Sequence, residues 1–533
     1  MVAKKIIFRN FFFRCVRSVV VVNISNEIKI MKTKLLFFIF LFFSFCFISS
    51  KTEIYCDRIV CPLPNPPPIN GGGKGGGDED IRYVGSELQL FVDELLIEKK
   101  NGVSFKLHPP EIREVVFTFD KPYEGKQSGY ITMLQDGERF RMYYRGGGDL
   151  SREYTCLAES SDGINWIRQD LNLIEYNGSK KNNIIWTGKN PSYDESHNFT
   201  PFIDTNPSAN PQERYKAVGY GRYPDEKGET KLALMGLSSP DGIHWKKIRE
   251  EPIITEGAFD SQNTAFWDSV QKKYVCYLRI HREGKRSIAR SISEDFLNWS
   301  KPELLDFGNT PLEHFYTNAI VQYFRSPHFY LGFPMRFVPE RKTVGYPSRE
   351  TDGLSDAVFI SSRDGIKFNR QFMEAFIRPG LNPNNWGSAH GNQTPSWGIL
   401  KTSEDEFSIY WQENCVEIPR LRRGVLRPDG FVSVNANYSG GEFTTHPLIF
   451  KGKNLIINYS TSAVGSIKVE LLDNNGQTIS GYDLNSCNEV YGDEIKRVVV
   501  WKENSDLSKL SGTPICLHFV MKDADLFSLK FCE

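Results

Sequence analysis

At 533 residues the chain is long enough for two or three domains and a substantial buried core. Its 65 Lys and Arg residues balance 65 Asp and Glu, so no global field selects nucleic acid or an anionic membrane as partner. Aromatic residues reach 13%, a share that suits strands and sugar-stacking surfaces, although most such rings end in a core.

Residues 1–50 read as an N-terminal extension and a secretory signal. From Met31, the basic start MKTK precedes LLFFIFLFFSFCFISS, an apolar run of about the length a signal needs. Lipid attachment at Cys46 would want a small residue where Phe45 stands, and the run is short for a membrane span. The expected location is therefore secreted, periplasmic or cell-surface, with no stable membrane insertion once the signal is cleaved. Residues 51–84 carry Cys56, Cys61 and PLPNPPPINGGGKGGG, a flexible tether.

Between residues 85 and 435 one pattern recurs five times: a β-rich run, a turn, and a second run rich in aromatics. The five copies are SGYITMLQDGERFRMYYRG (128–146), HNFTPFIDTNPSANPQERYKAVGYGR (197–222), GAFDSQNTAFWDSVQKKYVCYLR (257–279), HFYTNAIVQYFRSPHFYLGFPMRF (314–337) and GNQTPSWGILKTSEDEFSIYWQE (391–413). Each is followed by a shorter pair of runs around an Asp-Gly or similar turn: ESSDGINW, SSPDGIHW, SISEDFLNW, ISSRDGIKF and LRPDGF. Asp-Gly suits a tight hairpin because Gly accepts a positive φ and Asp tolerates one. Four strands in each of five units predict an all-β, five-bladed β-propeller.

Residues 436–533 change character. Short runs such as HPLIF, NLIINYS, SIKVELLD, IKRVVVW, ICLHFVM and FSLKFC, separated by polar turns, predict a β-sandwich of accessory type. It holds no cluster of catalytic groups, which suits a structural or sugar-binding appendage. The ten cysteines form no zinc pattern. Cys156 and Cys276 lie in strand-like runs and read as buried thiols. Export would permit a disulfide among Cys487, Cys516 and Cys532, with a connectivity that spacing does not fix.

Propeller geometry decides which polar residues meet. In each blade the residues before the first strand and after the second converge on one mouth, while the Asp-Gly turns lie on the other face. The mouth then collects Glu124, Arg145, His197, Arg222, Asp260, Asn263, Arg279, Glu313, His314, Asn318, Arg336, His390 and Glu413. Carboxylates facing guanidiniums suit cleavage of a glycosidic bond, which needs one carboxyl group protonated and another ionised. Guanidiniums orient those carboxylates or grip an anionic substituent with paired hydrogen bonds. Any single one of these residues could equally be an inter-blade salt bridge.

The layout, the secretory start and the trailing sandwich resemble glycoside hydrolase families 32, 43 and 68. LFVDELLIE (90–98), KLHPP (106–110), FDSQNTAFWD (259–268) and DGFVSVNA (429–436) resemble more closely a group of secreted bacterial family 32-like proteins. The resemblance implies an acid opening each of blades one, three and four, as base or nucleophile, pKa-setting group and general acid respectively. Asp260 and Glu313 stand at the third and fourth entries; at the first, SGYITM carries no acid and Glu124 is the nearest carboxylate, with Asp93 and Glu413 as further candidates. The expectation is a glycoside hydrolase with Glu313 as acid, Asp260 as the pKa-setting carboxylate and Glu124 as base or nucleophile. His314, Arg145, Arg279 and Arg336 would contact the sugar, with Asn263, Asn318, His390 and Glu413 beside them. The arginines point to an acidic or sulfated substrate. No cofactor is called for, and a structural Ca²⁺ would use oxygens that leave no motif. Two alternatives compete: a sialidase-like exo-enzyme with Tyr316 as nucleophile, against which the true Asp-box has one more residue between Asp and Gly, and a carbohydrate-binding propeller without activity.

Overall fold

The computed structural model describes residues 81–147, 152–188, 194–224, 227–344, 353–387 and 392–533, all within the unit Gly73–Glu533. The expected signal segment, Cys46, Cys56, Cys61, the tether up to residue 80 and His390 lie outside the described residues.

Five antiparallel sheets follow one another along the chain. Blade one comprises Gly129–Asp136, Arg139–Gly146, Tyr154–Ser160 and Ile184–Trp186 in that order. Blade two comprises Thr200–Ile203, Tyr215–Pro224, Thr230–Ser239 and Lys246–Lys247. Blade three comprises Thr264–Asp268, Lys273–Arg282, Lys285–Ser293 and Glu303–Leu304. Blade four is broken across its middle. His314–Phe315, Met335–Val338 and Leu354–Ala357 pair on one side of the break; Val321–Gln322, Tyr330–Gly332, Ile360–Ser362 and Phe368–Asn369 pair on the other. Pro334, which has no N–H to give a ladder, and Ala319 at φ 42° sit at the break.

Blade five departs from the expected repeat. Thr394–Pro395 and Leu400–Lys401 pair with Phe407–Glu413, then Arg420–Leu426, and the outermost strand is Glu111–Thr118 from before blade one. The turn 427–431, expected to complete this blade, leads instead into the C-terminal sheet. There Asp429 is buried, accepting from Arg325 Nε at 2.9 Å and Tyr323 Oη at 2.6 Å.

Each sheet touches the next and the last touches the first. Tyr143 Oη of blade one donates to Gly242 O of blade two at 3.1 Å, and Asn198 Nδ2 to Phe259 O of blade three at 2.6 Å. Thr264 Oγ1 donates to Asn318 Oδ1 of blade four at 2.9 Å, and Ser355 Oγ to Asn392 O of blade five at 2.7 Å. Trp397 O accepts from Met133 N of blade one at 2.7 Å, which closes the ring.

Four of the Asp turns are built alike. Asp162 Oδ1 accepts from Ile164 N and Asn165 N at 2.8 Å each, and Trp166 Nε1 donates to Gly163 O at 3.1 Å. Asp241, Asp295 and Asp364 repeat the pattern of two backbone N–H donors. Gly163 sits at φ 73°, and a Cβ there would stand 2.7 Å from Tyr410 Oη, which reaches in from blade five to bond Gly163 O. Both the conformation and the close approach require glycine.

Those backbone bonds matter to pH behaviour. Burial pushes Asp162, Asp241 and Asp295 up, but the N–H donors outweigh it and hold all three below the ordinary range, Asp295 at about 2. A carboxylate lowered in the folded state stabilises above its unfolded pKa, about 3.9, and that contribution fades as pH falls toward the folded value. The urea midpoint is therefore expected to hold from about pH 7 to 5 and to drop below about pH 4. Asp241→Ala should lower it at pH 7 by about 1 kcal/mol equivalent and flatten the acid-side drop.

The C-terminal sheet has eight strands around one apolar core. Its spine is the long antiparallel pair Asn454–Leu472 and Cys516–Cys532. Gly441–Thr445, Val432–Ala436 and Asp493–Val498 pair onto it, and so, directly or through those strands, do Gln89–Leu90, Ile97–Asn101 and Val103–Leu107. Residues 89–107 thus pair into this sheet, with Phe91 and Leu96 in its core, while Leu90, Val92 and Leu107 pack against ring residues such as Tyr323 and Phe329. Phe443 stacks on Phe519 at 4.8 Å and Phe450 on Phe531 at 4.0 Å. Cys487, Cys516 and Cys532 are free thiols, as are Cys156 and Cys276.

Candidate functional site

Residues 258–263 form a clamped loop at the entry of blade three. Asn263 Nδ2 donates to Phe259 O and Ser261 O at 2.9 Å each, Ala258 N donates to Arg279 O at 2.8 Å, and Ser261 Oγ to Tyr316 O at 2.7 Å. Phe259, Ser261, Gln262 and Asn263 are all buried, whereas the Asp260 side chain is 47% exposed. The loop holds one carboxylate up to solvent on a fixed base.

Three elements converge on that carboxylate. His197, on the short turn Glu195–His197 that leads into blade two, places Nε2 2.8 Å from Asp260 Oδ1. Its Nδ1 lies 2.8 Å from Glu153, just before the third strand of blade one. Each ring nitrogen thus faces a carboxylate oxygen. Arg145, at the end of the second strand of blade one, donates to His197 O at 3.3 Å and Gln127 O at 2.7 Å and stands 3.7 Å from Glu153. Arg279 Nη2 stands 3.8 Å from Asp260 while its Nε donates to Ala258 O at 2.9 Å.

Aromatic rings wall the cluster. The Arg145 guanidinium lies 4.6 Å over Tyr130 and that of Arg279 5.4 Å over Tyr316, while Tyr220 and Tyr130 flank the His197 ring. Tyr130 has φ 50°, a strained backbone for a bulky residue and of the kind that gathers at functional sites.

The electrostatics follow. The His197 hydrogen bond, then the charges of His197, Arg279 and Arg145, overcome burial and hold Asp260 at about 2. Burial pushes Glu153 up, but the His197 bond and the Arg145 charge leave it below the ordinary range. Tyr130 is pushed far up by burial and by its neighbours Tyr316 and Asp260. The result is a half-exposed, ionised carboxylate against a positively charged, aromatic wall.

The mouth residues divide into those that join this cluster and those that do not. Asp260, Arg145, Arg279 and His197 join it. Asn263 is scaffold for the loop, and Asn318, buried, braces blades three and four through Thr264 Oγ1, Gln262 O and Tyr277 O. Arg222 is exposed near the end of its strand. Glu313 accepts from Arg336 Nη1 at 2.8 Å on one oxygen and from Arg370 Nη2 at 3.0 Å on the other, and Arg336 forks onto Asp356 at 2.8 and 2.6 Å. Among the described residues Glu313 and Asp260 share no hydrogen-bond or ion-pair partner. Glu413 is buried against Arg422 at 2.6 Å, and Asp93 is held by Arg363 at 2.7 and 3.1 Å.

Glu124 stands apart from the cluster. It is fully buried and accepts from Arg168 Nε at 2.7 Å, Arg168 Nη2 at 2.9 Å, Tyr144 Oη at 2.6 Å and Lys121 N at 2.9 Å. Four donors occupy both oxygens, so none faces a substrate. Glu153 and Arg286, by contrast, were absent from the mouth set although both stand at the start of third strands. The second strand of a blade ends where the third begins, so the geometric rule that selected the other residues reaches them too.

A shallow cavity of about 420 Å³, lined by Asp306, Phe307, Thr310, Lys367, Phe368 and Gln371 among others, shares no residue with the Asp260 cluster. Among the described residues no group of three or more His, Cys, Asp and Glu is arranged to hold a metal ion, and no helix is long and apolar enough to cross a membrane.

No family model and no curated protein matches the sequence. Among solved structures the chain is similar to one described as a glycoside hydrolase, at 14% identity and TM-score 0.39, over 60% of this chain and 92% of that one. It is similar to a fructofuranosidase from Schwanniomyces occidentalis complexed with fructosylnystose, at 11% identity and TM-score 0.38, over 79% and 96%. A third is an N-acetylgalactosamine deacetylase from F. plautii in complex with blood group B trisaccharide, at 11% identity and TM-score 0.39, over 60% and 94%.

Proposed function

We propose that the protein is a secreted glycoside hydrolase working at the Asp260 cluster. The observation that carries this reading is a half-exposed carboxylate held ionised at about 2 on a clamped loop, with guanidiniums and tyrosines around it. Such a group can act as base toward water or as nucleophile toward the anomeric carbon. In this reading Asp260 takes the part that the resemblance gave to a blade-one acid, and His197, bonded to Asp260 and to Glu153, orients it. Glu313, with each oxygen on a guanidinium, anchors Arg336 instead of serving as acid. Export is supported by the basic and apolar run after Met31.

The test is release of reducing ends from a broad polysaccharide panel, followed by chromatography of the products. Turnover of any member supports the reading. A second reading, a glycan-binding propeller without turnover, is favoured by the burial of Glu124, which removes the carboxylate expected at blade one. Calorimetric binding with no product from any member would select it.

A further inference from the structure

We propose that this mouth takes glycans bearing an anionic substituent, a carboxylate or a sulfate ester, and that Arg286 receives it. The inference rests on the glycan-cleaving reading and names a substrate class for the same site.

Arg286 opens the third strand of blade three, Lys285–Ser293. Its guanidinium lies 5.0 Å over the Tyr316 ring and 5.5 Å over Phe337. Arg279, which faces Asp260 at 3.8 Å, lies over the same Tyr316 ring at 5.4 Å. One ring therefore carries two guanidiniums, which places Arg286 one aromatic ring away from the guanidinium that faces Asp260.

The two differ in what they hold. Arg145, Arg279, Arg336 and Arg370 each face a carboxylate of the protein. For Arg286, no carboxylate among the described residues stands within ion-pair reach, and its Nε is buried without a partner. Its backbone N–H donates to His314 Nδ1 at 3.2 Å. The surroundings add the positive charge of Lys285, whose Nζ donates to Leu312 O at 2.6 Å, and two imidazoles, His281 and His314. Burial and then the neighbouring cations, Arg286 among them, hold both imidazoles below their ordinary value. Glu340 is the acid that faces His314.

A partly buried guanidinium with an unmatched donor is costly to keep, more so than a satisfied one is worth. A carboxylate or sulfate ester has the planar or tripod oxygens that fit its fork, and the bond is charge-assisted. A glycan whose scissile bond lies over Asp260 would place a neighbouring ring over Tyr316 and that ring's anionic group at Arg286.

The experiment uses the full chain, wild type, Arg286→Gln and Arg286→Lys, with two matched pairs of probes: polygalacturonate with its carboxyl-reduced form, and chondroitin sulfate with its desulfated form. Affinity is read by calorimetry and cleavage by product release. The wild type is expected to bind one charged member at least tenfold more tightly than its charge-stripped partner. Arg286→Gln should lose that preference, Arg286→Lys should keep part of it, and the melting temperature should not move, since among the described residues the guanidinium has no carboxylate partner. Which pair responds distinguishes carboxylate from sulfate. Equal wild-type affinity within both pairs, no binding of either charged member, or a preference that survives in Arg286→Gln overturns the proposal. Preference without product in any assay leaves the anionic site standing and removes the cleavage reading; cleavage that ignores charge does the reverse.

Discussion

Asp260→Asn is expected to lower product release by about a hundredfold to ten-thousandfold, the range for losing a positioned acid or base, with the melting temperature unchanged. Asn keeps the shape and leaves an amide oxygen for His197 Nε2, now 2.8 Å from Oδ1. What goes is the negative charge, which base and nucleophile alike require. Stability should hold because the side chain is half in solvent and its loop is fixed by bonds from Asn263, Ala258 and Ser261 rather than by Asp260 itself. The pH profile of the wild type carries the same argument. A carboxylate held at about 2 stays ionised as pH falls past about 4, where an ordinary Asp protonates. Asp260 therefore contributes no acid limb to kcat/KM until pH approaches its lowered value, and any limb at higher pH belongs to another group. Asp260→Asn retaining a tenth of wild-type turnover would take the residue out of the chemistry.

The fold was legible where its chemistry is local. Ser160, Ser239, Ser293 and Ser362 each stand two residues before the turn Asp, and each Asp collects its N–H donors within three residues. LRPDGF shares the Asp-Gly pair but has Arg427 in place of that serine and Phe431 directly after the glycine, differences that mark it as another kind of turn. What no local pattern announces is ring closure. The strand Glu111–Thr118 pairs with Arg420–Leu426, about three hundred residues away, and only the missing fourth strand of blade five asks for it. The site divides the same way. Entry and exit positions of the hairpins reach Asp260, Arg145, Arg279 and His197, whereas Glu153 and Arg286 need the third strands to be counted as well. For Glu124, nearness to blade one along the chain said nothing about Arg168, whose guanidinium lies on Phe117 and reaches back to it.

Removing that buried carboxylate gives the largest expected loss of stability. Glu124→Ala should cost about 3–5 kcal/mol, the usual consequence of breaking one partner out of a buried pair. The Arg168 guanidinium would remain 3.8 Å over the Phe117 ring with its main counter-charge gone, and Tyr144 Oη would lose its 2.6 Å acceptor. Uncompensated charge, more than the lost bonds, sets the size of the effect. Glu124→Gln keeps the volume and one acceptor oxygen but turns an amide N–H₂ toward Arg168, so it should fall between wild type and Ala. Changing both partners together, Glu124→Leu with Arg168→Met, should recover much of the loss, because an apolar pair needs no desolvation of charge. Urea unfolding of the four proteins reads this order of stabilities directly. The same proteins separate scaffold from catalyst: at a temperature where Glu124→Gln stays folded, turnover should remain within a few-fold of wild type, whereas a base or nucleophile would lose at least about a hundredfold. A Glu124→Gln protein that is fully stable yet inactive would return Glu124 to the mechanism and undo the assignment to Asp260.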